Sequence, residues 1–134
     1  DYSDLNRYEL VKKGKGVAII AAGNFFALGE ATCEMLKAKN MEATLINPRF
    51  ISGIDTELME KLKADHRIVV TLEDGALSGG FGEKIARYFG NSDMKVLCYG
   101  ARKEFVDRYN LADFLASNRL REDLITEDIL SLCK

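Results

Sequence analysis

The chain predicts an α/β layer fold, and three features carry that prediction. Short apolar runs of strand length alternate with segments of helical period. Each run stops at a turn signal, and 134 residues are enough for one domain and too few for two independent cores. Strands separated by helices of this length have to be joined mainly by right-handed crossovers. The expected architecture is therefore a mostly parallel sheet with helices on both faces, a three-layer α/β/α sandwich.

Residues 1–15 are charged and weakly periodic, and read as a linker from an upstream domain, with the domain itself spanning 16–134. The chain opens at Asp1 without an initiator methionine, which suggests a segment of something longer. Val17 to Ala22 is a continuous apolar run, β-branched at three of six positions, and ends at Gly23-Asn24 as a buried strand should. Leu28, Ala31, Thr32, Met35 and Leu36 then form one helix face, with Asn24 as the expected N-cap and the polar stretch Lys37 to Asn40 as the end. A second strand, Ala43 to Ile46, is broken by Asn47-Pro48. Asp55 can cap a short helix carrying Leu58, Met59 and Leu62 inward. His66-Arg67 leads into Ile68 to Leu72, the most strand-like segment, which Glu73-Asp74-Gly75 ends. Gly79-Gly80-Phe81-Gly82 opens a helix with an apolar stripe of Phe81, Ile85, Tyr88 and Phe89. A fourth strand runs from Lys95 to Tyr99 and stops at Gly100. The remainder reads as helical, over Leu111 to Ala116 and then in a last helix capped by Thr126 and carrying Ile129, Leu130 and Cys133.

Composition removes several classes of function. Nineteen Lys and Arg against 21 Asp and Glu leave a formal charge of −2, whereas a domain living on phosphate-backbone contacts carries a basic excess, so nucleic acid is not an expected partner. The longest apolar run is far too short to span a bilayer, and no charged and apolar leader opens the chain, so no membrane or secretion role is expected. Cys33, Cys98 and Cys133 are odd in number, far apart and without a C-x-x-C pair, which fits reduced packing residues of a cytosolic protein. His66 is the single histidine, too few for the usual metal site, and preceding a strand it reads as a surface or capping residue.

In a parallel sheet, ligands and partners gather beyond the carboxyl ends of the strands. Those ends are Gly23-Asn24, Asn47-Pro48-Arg49, Glu73-Asp74-Gly75 and Gly100-Ala101-Arg102. Gly79, Gly80 and Gly82 before a helix could cradle a phosphate, but they match neither a P-loop nor a dinucleotide fingerprint. Their other reading is close packing of the helix start against a neighbouring domain, and the residues favour it. Glu73 and Asp74 are adjacent on a strand and point to opposite faces, so they suit capping, loop bonding or an interface better than acid/base catalysis on one substrate. Arg49 follows Pro48 at a strand's carboxyl end with no acid beside it. A guanidinium there suits a bidentate phosphate or carboxylate, and it could equally be a solvated loop arginine.

Taken in order, these motifs resemble a known family. Gly16 to Asn24, then Ala43 to Ile51 with Asn47-Pro48-Arg49-Phe50, then Asp55, are similar to the C-terminal domain of transketolase-like enzymes. His66 to Gly75 followed by Gly79 to Gly82 is similar, more narrowly, to the 1-deoxy-D-xylulose-5-phosphate synthase family. The resemblance covers about residues 14–130. Two positions depart from it: Gly53 stands where a proline is usual, and Gly100-Ala101-Arg102-Lys103 replaces a Gly-Leu-Pro-Asp stretch. The resemblance implies a thiamine-diphosphate- and Mg2+-dependent parent enzyme that decarboxylates pyruvate and passes the two-carbon unit to glyceraldehyde 3-phosphate. It places the cofactor on preceding domains, between subunits of a homodimer, so this domain should bind no cofactor or metal and have no activity alone. For this chain it implies a contact from Arg49 to the phosphate of the aldehyde, and an interface with upstream domains or a second subunit at Glu73, Asp74, Gly79, Gly80, Phe81 and Gly82. The alternatives are the matching domain of a 2-oxoacid dehydrogenase β-subunit or of transketolase, and a stand-alone binding or assembly module.

Overall fold

The structure is a computed structural model that describes residues 8–49, 54–74, 81–101 and 121–133. Its strands and helices are β1 (Glu9–Lys12), β2 (Gly16–Ala21), α1 (Phe26–Lys37), β3 (Thr44–Asn47), α2 (Thr56–Asp65), β4 (His66–Asp74), α3 (Phe81–Tyr88), β5 (Lys95–Ala101) and α4 (Glu122–Leu132). The five strands form one sheet in the order β1-β3-β2-β4-β5. β2 pairs in parallel with β3 and β4, and β4 with β5, while β1 lies antiparallel on β3. The expected mostly parallel sheet is therefore present.

Alternation along each strand feeds two cores. Val17, Ile19 and Ala21 of β2, with Ile68, Val70 and Leu72 of β4, pack with Cys33 and Leu36 of α1 and Ile125 and Ile129 of α4. Their neighbours Ala18, Ile20, Ile46 and Val69 point the other way and meet Met59 and Leu62 of α2, Ile85 of α3 and Phe89. Helices thus cover both faces, and all four parallel strands run in one direction. α1 closes as a Schellman turn: the Met41 and Asn40 N–H groups donate to Leu36 O and Lys37 O, with Asn40 left-handed at φ 65°.

Several expectations are corrected. Residues 9–12, read as linker, form the edge strand β1. Leu10 and Val11 are each 45% exposed, so the strand has no apolar alternation by which a sequence could announce it. Asn24 does not cap α1; it lies in a 3-10 turn, Gly23–Phe25, and Phe25 takes the cap position without a side-chain bond. Thr126 is no cap either. α4 begins earlier, at Glu122, with Glu122 and Asp123 set at the positive end of the helix, and Thr126 is buried within it. Cys98 and Cys133 are exposed rather than packed, and only Cys33 is buried. Asp55 does cap α2, accepting from the Leu58 N–H at 3.1 Å. The helix expected over Leu111 to Ala116 lies outside the described residues.

Candidate functional site at the carboxyl ends of the strands

β3 ends at Asn47, which β1 still pairs through Glu9. Pro48 follows, buried, and then Arg49, exposed and held at φ 25°. A residue with a Cβ seldom adopts that conformation. Asn47 stabilises it: its Oδ1 accepts the Arg49 N–H at 3.0 Å, the turn that asparagine forms with the backbone two residues on. The sequence reading treats Asn47 only as a strand terminator, and the Asn-Pro pair was the signal available for its second role. Asp55 anchors the chain further along, where α2 begins. Its second oxygen accepts the Tyr8 N–H at 2.9 Å while the first caps α2, so β1 and α2 are tied together beside β3.

At the end of β4, Thr71 and Glu73 share the face that carries Val69, turned toward α3. Glu73 is 5% exposed, and its Oε2 accepts the N–H of Gly82 in the first turn of α3. A carboxylate there complements the helix dipole and occupies the position an anionic ligand would take. Gly82 is needed for a local reason. A Cβ on it would lie 2.6 Å from Thr71 Oγ1, 3.0 Å from Glu73 Oε2 and 3.2 Å from Cys98 Sγ. The close approach this glycine permits here is to its own sheet. Cys98 Sγ donates to Gly82 O at 3.3 Å, and the Thr71 hydroxyl is fully buried without a hydrogen-bond partner among the described residues. Gly79 and Gly80 lie outside the described residues; the backbones of Asp74 and Phe81 end β4 and begin α3. At the end of β5, the Tyr99 hydroxyl donates to Asp128 Oδ2 at 2.6 Å and fastens α4 to the sheet.

The opposite end of the sheet is built differently. His66 is buried where β4 begins, and its Nε2 lies 2.7 Å from Thr44 Oγ1, which also accepts the Gly14 N–H at 2.9 Å. The Asp65 carboxylate can only accept, so Nδ1–H donates to its Oδ1 at 2.7 Å, and in the neutral ring Nε2 is left to accept from the threonine hydroxyl. His66 is therefore a buried structural link rather than a surface group, and it does take the capping position at the end of α2, its backbone N–H donating to Leu62 O. A cavity of about 590 Å3 opens beside it, lined by Lys63, Asp65, His66, Arg67, Ser92 and Asp93. Three of its polar walls are engaged: Asp65 with His66, Lys63 with Glu60 at 2.9 Å, and the Ser92 hydroxyl with Phe89 O at 2.7 Å. The candidate site is placed at the carboxyl end, where ligands of parallel sheets gather, although this cavity opens at the other.

The described residues do not fit the diphosphate-and-metal group that the resemblance implies for the parent. They contain no set of three or more His, Cys, Asp or Glu side chains able to hold a metal ion. The anion-favouring end of α3 already holds the Glu73 carboxylate, which would repel a diphosphate. No described helix is long and apolar enough to cross a membrane.

Comparison with known proteins agrees with this architecture. A 1-deoxy-D-xylulose-5-phosphate synthase of Clostridium tetani is 33% identical over 125 residues, which is 92% of this chain and 20% of that protein. A protein of the same name from Dehalococcoides mccartyi is 30% identical over 132 residues, or 96% of this chain and 21% of its own length. The chain thus spans about a fifth of the curated relatives it matches. Among solved structures, "Split gene transketolase, inactive beta4 tetramer" superposes with a TM-score of 0.78 at 22% identity, covering 94% of this chain and 42% of that one, which shows the shared fold. Residues 6–120 match the family described as "Transketolase, C-terminal domain", and the chain belongs to that family.

Proposed function

We propose that this chain is the C-terminal domain of a thiamine-diphosphate-dependent 1-deoxy-D-xylulose-5-phosphate synthase, a transketolase-type transferase acting in the cytoplasm. The parent reaction would take pyruvate and glyceraldehyde 3-phosphate to 1-deoxyxylulose 5-phosphate and carbon dioxide, with the cofactor and Mg2+ held by other domains. In this reading the domain supplies contacts to upstream domains and a second subunit through the segment from Glu73 to Gly82, and Arg49 binds the phosphate of the acceptor aldehyde. By itself the 134-residue chain consumes no pyruvate. The relatives' shared name supports the reaction. The observation that carries the assignment to Arg49 is its place: an exposed guanidinium at the carboxyl end of a central parallel strand, on a turn fixed by Asn47.

A planar, permanently charged fork suits a phosphate dianion, and a charge-assisted contact of this kind contributes about 1.5–3 kcal/mol. Arg49→Ala in the complete enzyme should therefore reduce the use of a phosphorylated acceptor by roughly 10- to 150-fold and leave the pyruvate dependence unchanged. Steady-state kinetics with acceptor and pyruvate varied separately decides it. An equal loss with a non-phosphorylated aldehyde would show that Arg49 supports the fold instead.

A further inference from the structure

We propose that Asn47 is a positioning residue for the acceptor phosphate, setting the turn that presents Arg49; the proposal rests on the reading of Arg49 given above. The backbone at Arg49 is left-handed, at φ 25°, where a glycine would sit without strain. An arginine in that place retains the strain, and what it gains is a guanidinium at the end of β3. Such a conformation persists only where its surroundings over-determine it.

Three constraints do so. Asn47 is fixed at the end of β3 by its antiparallel partner Glu9 on β1, one residue after Ile46 pairs with Ile20 of β2. Pro48 has a fixed φ and is buried, so the chain leaves the strand in one direction. The Asn47 Oδ1 then accepts the Arg49 N–H at 3.0 Å and closes the turn. Of the three, only the last is a side-chain contact aimed at Arg49 itself. Without it the Arg49 N–H can turn to water, the residue can relax to ordinary negative φ, and its side chain swings away from its present direction. Asn47 is half-buried, its hydrogen bond to the Arg49 N–H lies at the surface, and its work is done on the backbone, so it need not touch the ligand.

The test is a double-mutant cycle in the complete enzyme, read with a phosphorylated aldehyde and its non-phosphorylated counterpart as acceptors. Asn47→Ala should raise the KM for the phosphorylated acceptor by about 3- to 10-fold, the range of one lost hydrogen bond, with kcat and the non-phosphorylated acceptor unchanged. On an Arg49→Ala background the same substitution should add nothing. Asn47→Ser keeps an accepting oxygen in a weaker turn and should fall between the wild type and alanine; it carries the test if the alanine variant does not fold. If Asn47→Ala impairs both acceptors alike, or its effect adds in full to that of Arg49→Ala, Asn47 is not acting through Arg49 and the proposal is overturned while the role of Arg49 stands. If Arg49→Ala itself spares the phosphorylated acceptor, the reading of Arg49 fails and the role of Asn47 fails with it.

Discussion

At the amino end of the sheet the Gly14 amide, Thr44, His66 and Asp65 form a closed run of hydrogen bonds, whereas at the carboxyl end Arg49 stands exposed on a strained turn and the Thr71 hydroxyl is buried without a partner among the described residues. Histidine, threonine and carboxylate at the first end spend their bonding capacity on one another. At the second end the Arg49 backbone is held in a conformation that local stability alone would not select. The histidine and the cavity beside it therefore lie at the structural end. The arginine on a tight turn lies at the other end, where the proposed phosphate contact is placed.

The comparison can be broken most forcefully through two glycines. A Cβ at Gly14 would lie 2.0 Å from Glu42 O and 2.7 Å from the carbonyl carbon of Ala43, all backbone, so there is nothing that can rotate aside. Gly14→Ala should cost about 3 kcal/mol by urea denaturation, at the upper end for overpacking. A Cβ at Gly82 meets side-chain atoms instead, and alanine gains helix propensity in α3, so Gly82→Ala should cost about 1 kcal/mol. Equal losses would show that the two ends are packed alike.

A smaller effect separates the thiols. Burial, with nearby charges as lesser causes, pushes the Cys33 thiol from 9.0 up to about 11. Cys33 should therefore react with iodoacetamide at pH 8 roughly a hundredfold more slowly than a thiol of ordinary pKa, before any effect of access, while exposed Cys133 labels freely. The same shift sets a sign for stability. The protonated thiol is favoured in the folded state, so its contribution is complete below about pH 9 and is lost as pH rises toward about 11. Mass spectrometry after brief labelling would contradict this if Cys33 and Cys133 were modified together.

The parallel strands and the helices on both faces were legible because buried runs and helical stripes are long signals that tolerate errors at their ends. β1 was not legible, since Glu9-Leu10-Val11-Lys12 pairs on one side only and buries neither apolar side chain. Glu73 turns to the face of Val69 and Thr71 as strand parity predicts, yet the consequence depends on α3 returning over β4, a matter of topology. The bond between Thr44 and His66 joins residues 22 apart and follows only from the register of β3 and β4 on either side of β2. Arg49 could be picked out from its place beside Pro48, whereas its left-handed backbone, and with it the work of Asn47, had no sequence signal beyond the Asn-Pro pair.

The central claim is that one end of the sheet holds the fold and the other holds the ligand, and a paired measurement on Thr44→Val and Arg49→Ala in the complete enzyme tests it most directly. Thr44→Val keeps the shape of the side chain but strands the Gly14 N–H and His66 Nε2, so its melting temperature should fall, corresponding to about 2–3 kcal/mol, while kcat/KM of the folded enzyme is retained for both acceptors. Arg49→Ala should do the reverse, melting with the wild type and losing roughly 10- to 150-fold in kcat/KM for the phosphorylated acceptor alone. Should Thr44→Val lose activity selectively for that acceptor, or Arg49→Ala lose stability with no selectivity between acceptors, the division between the two ends is contradicted.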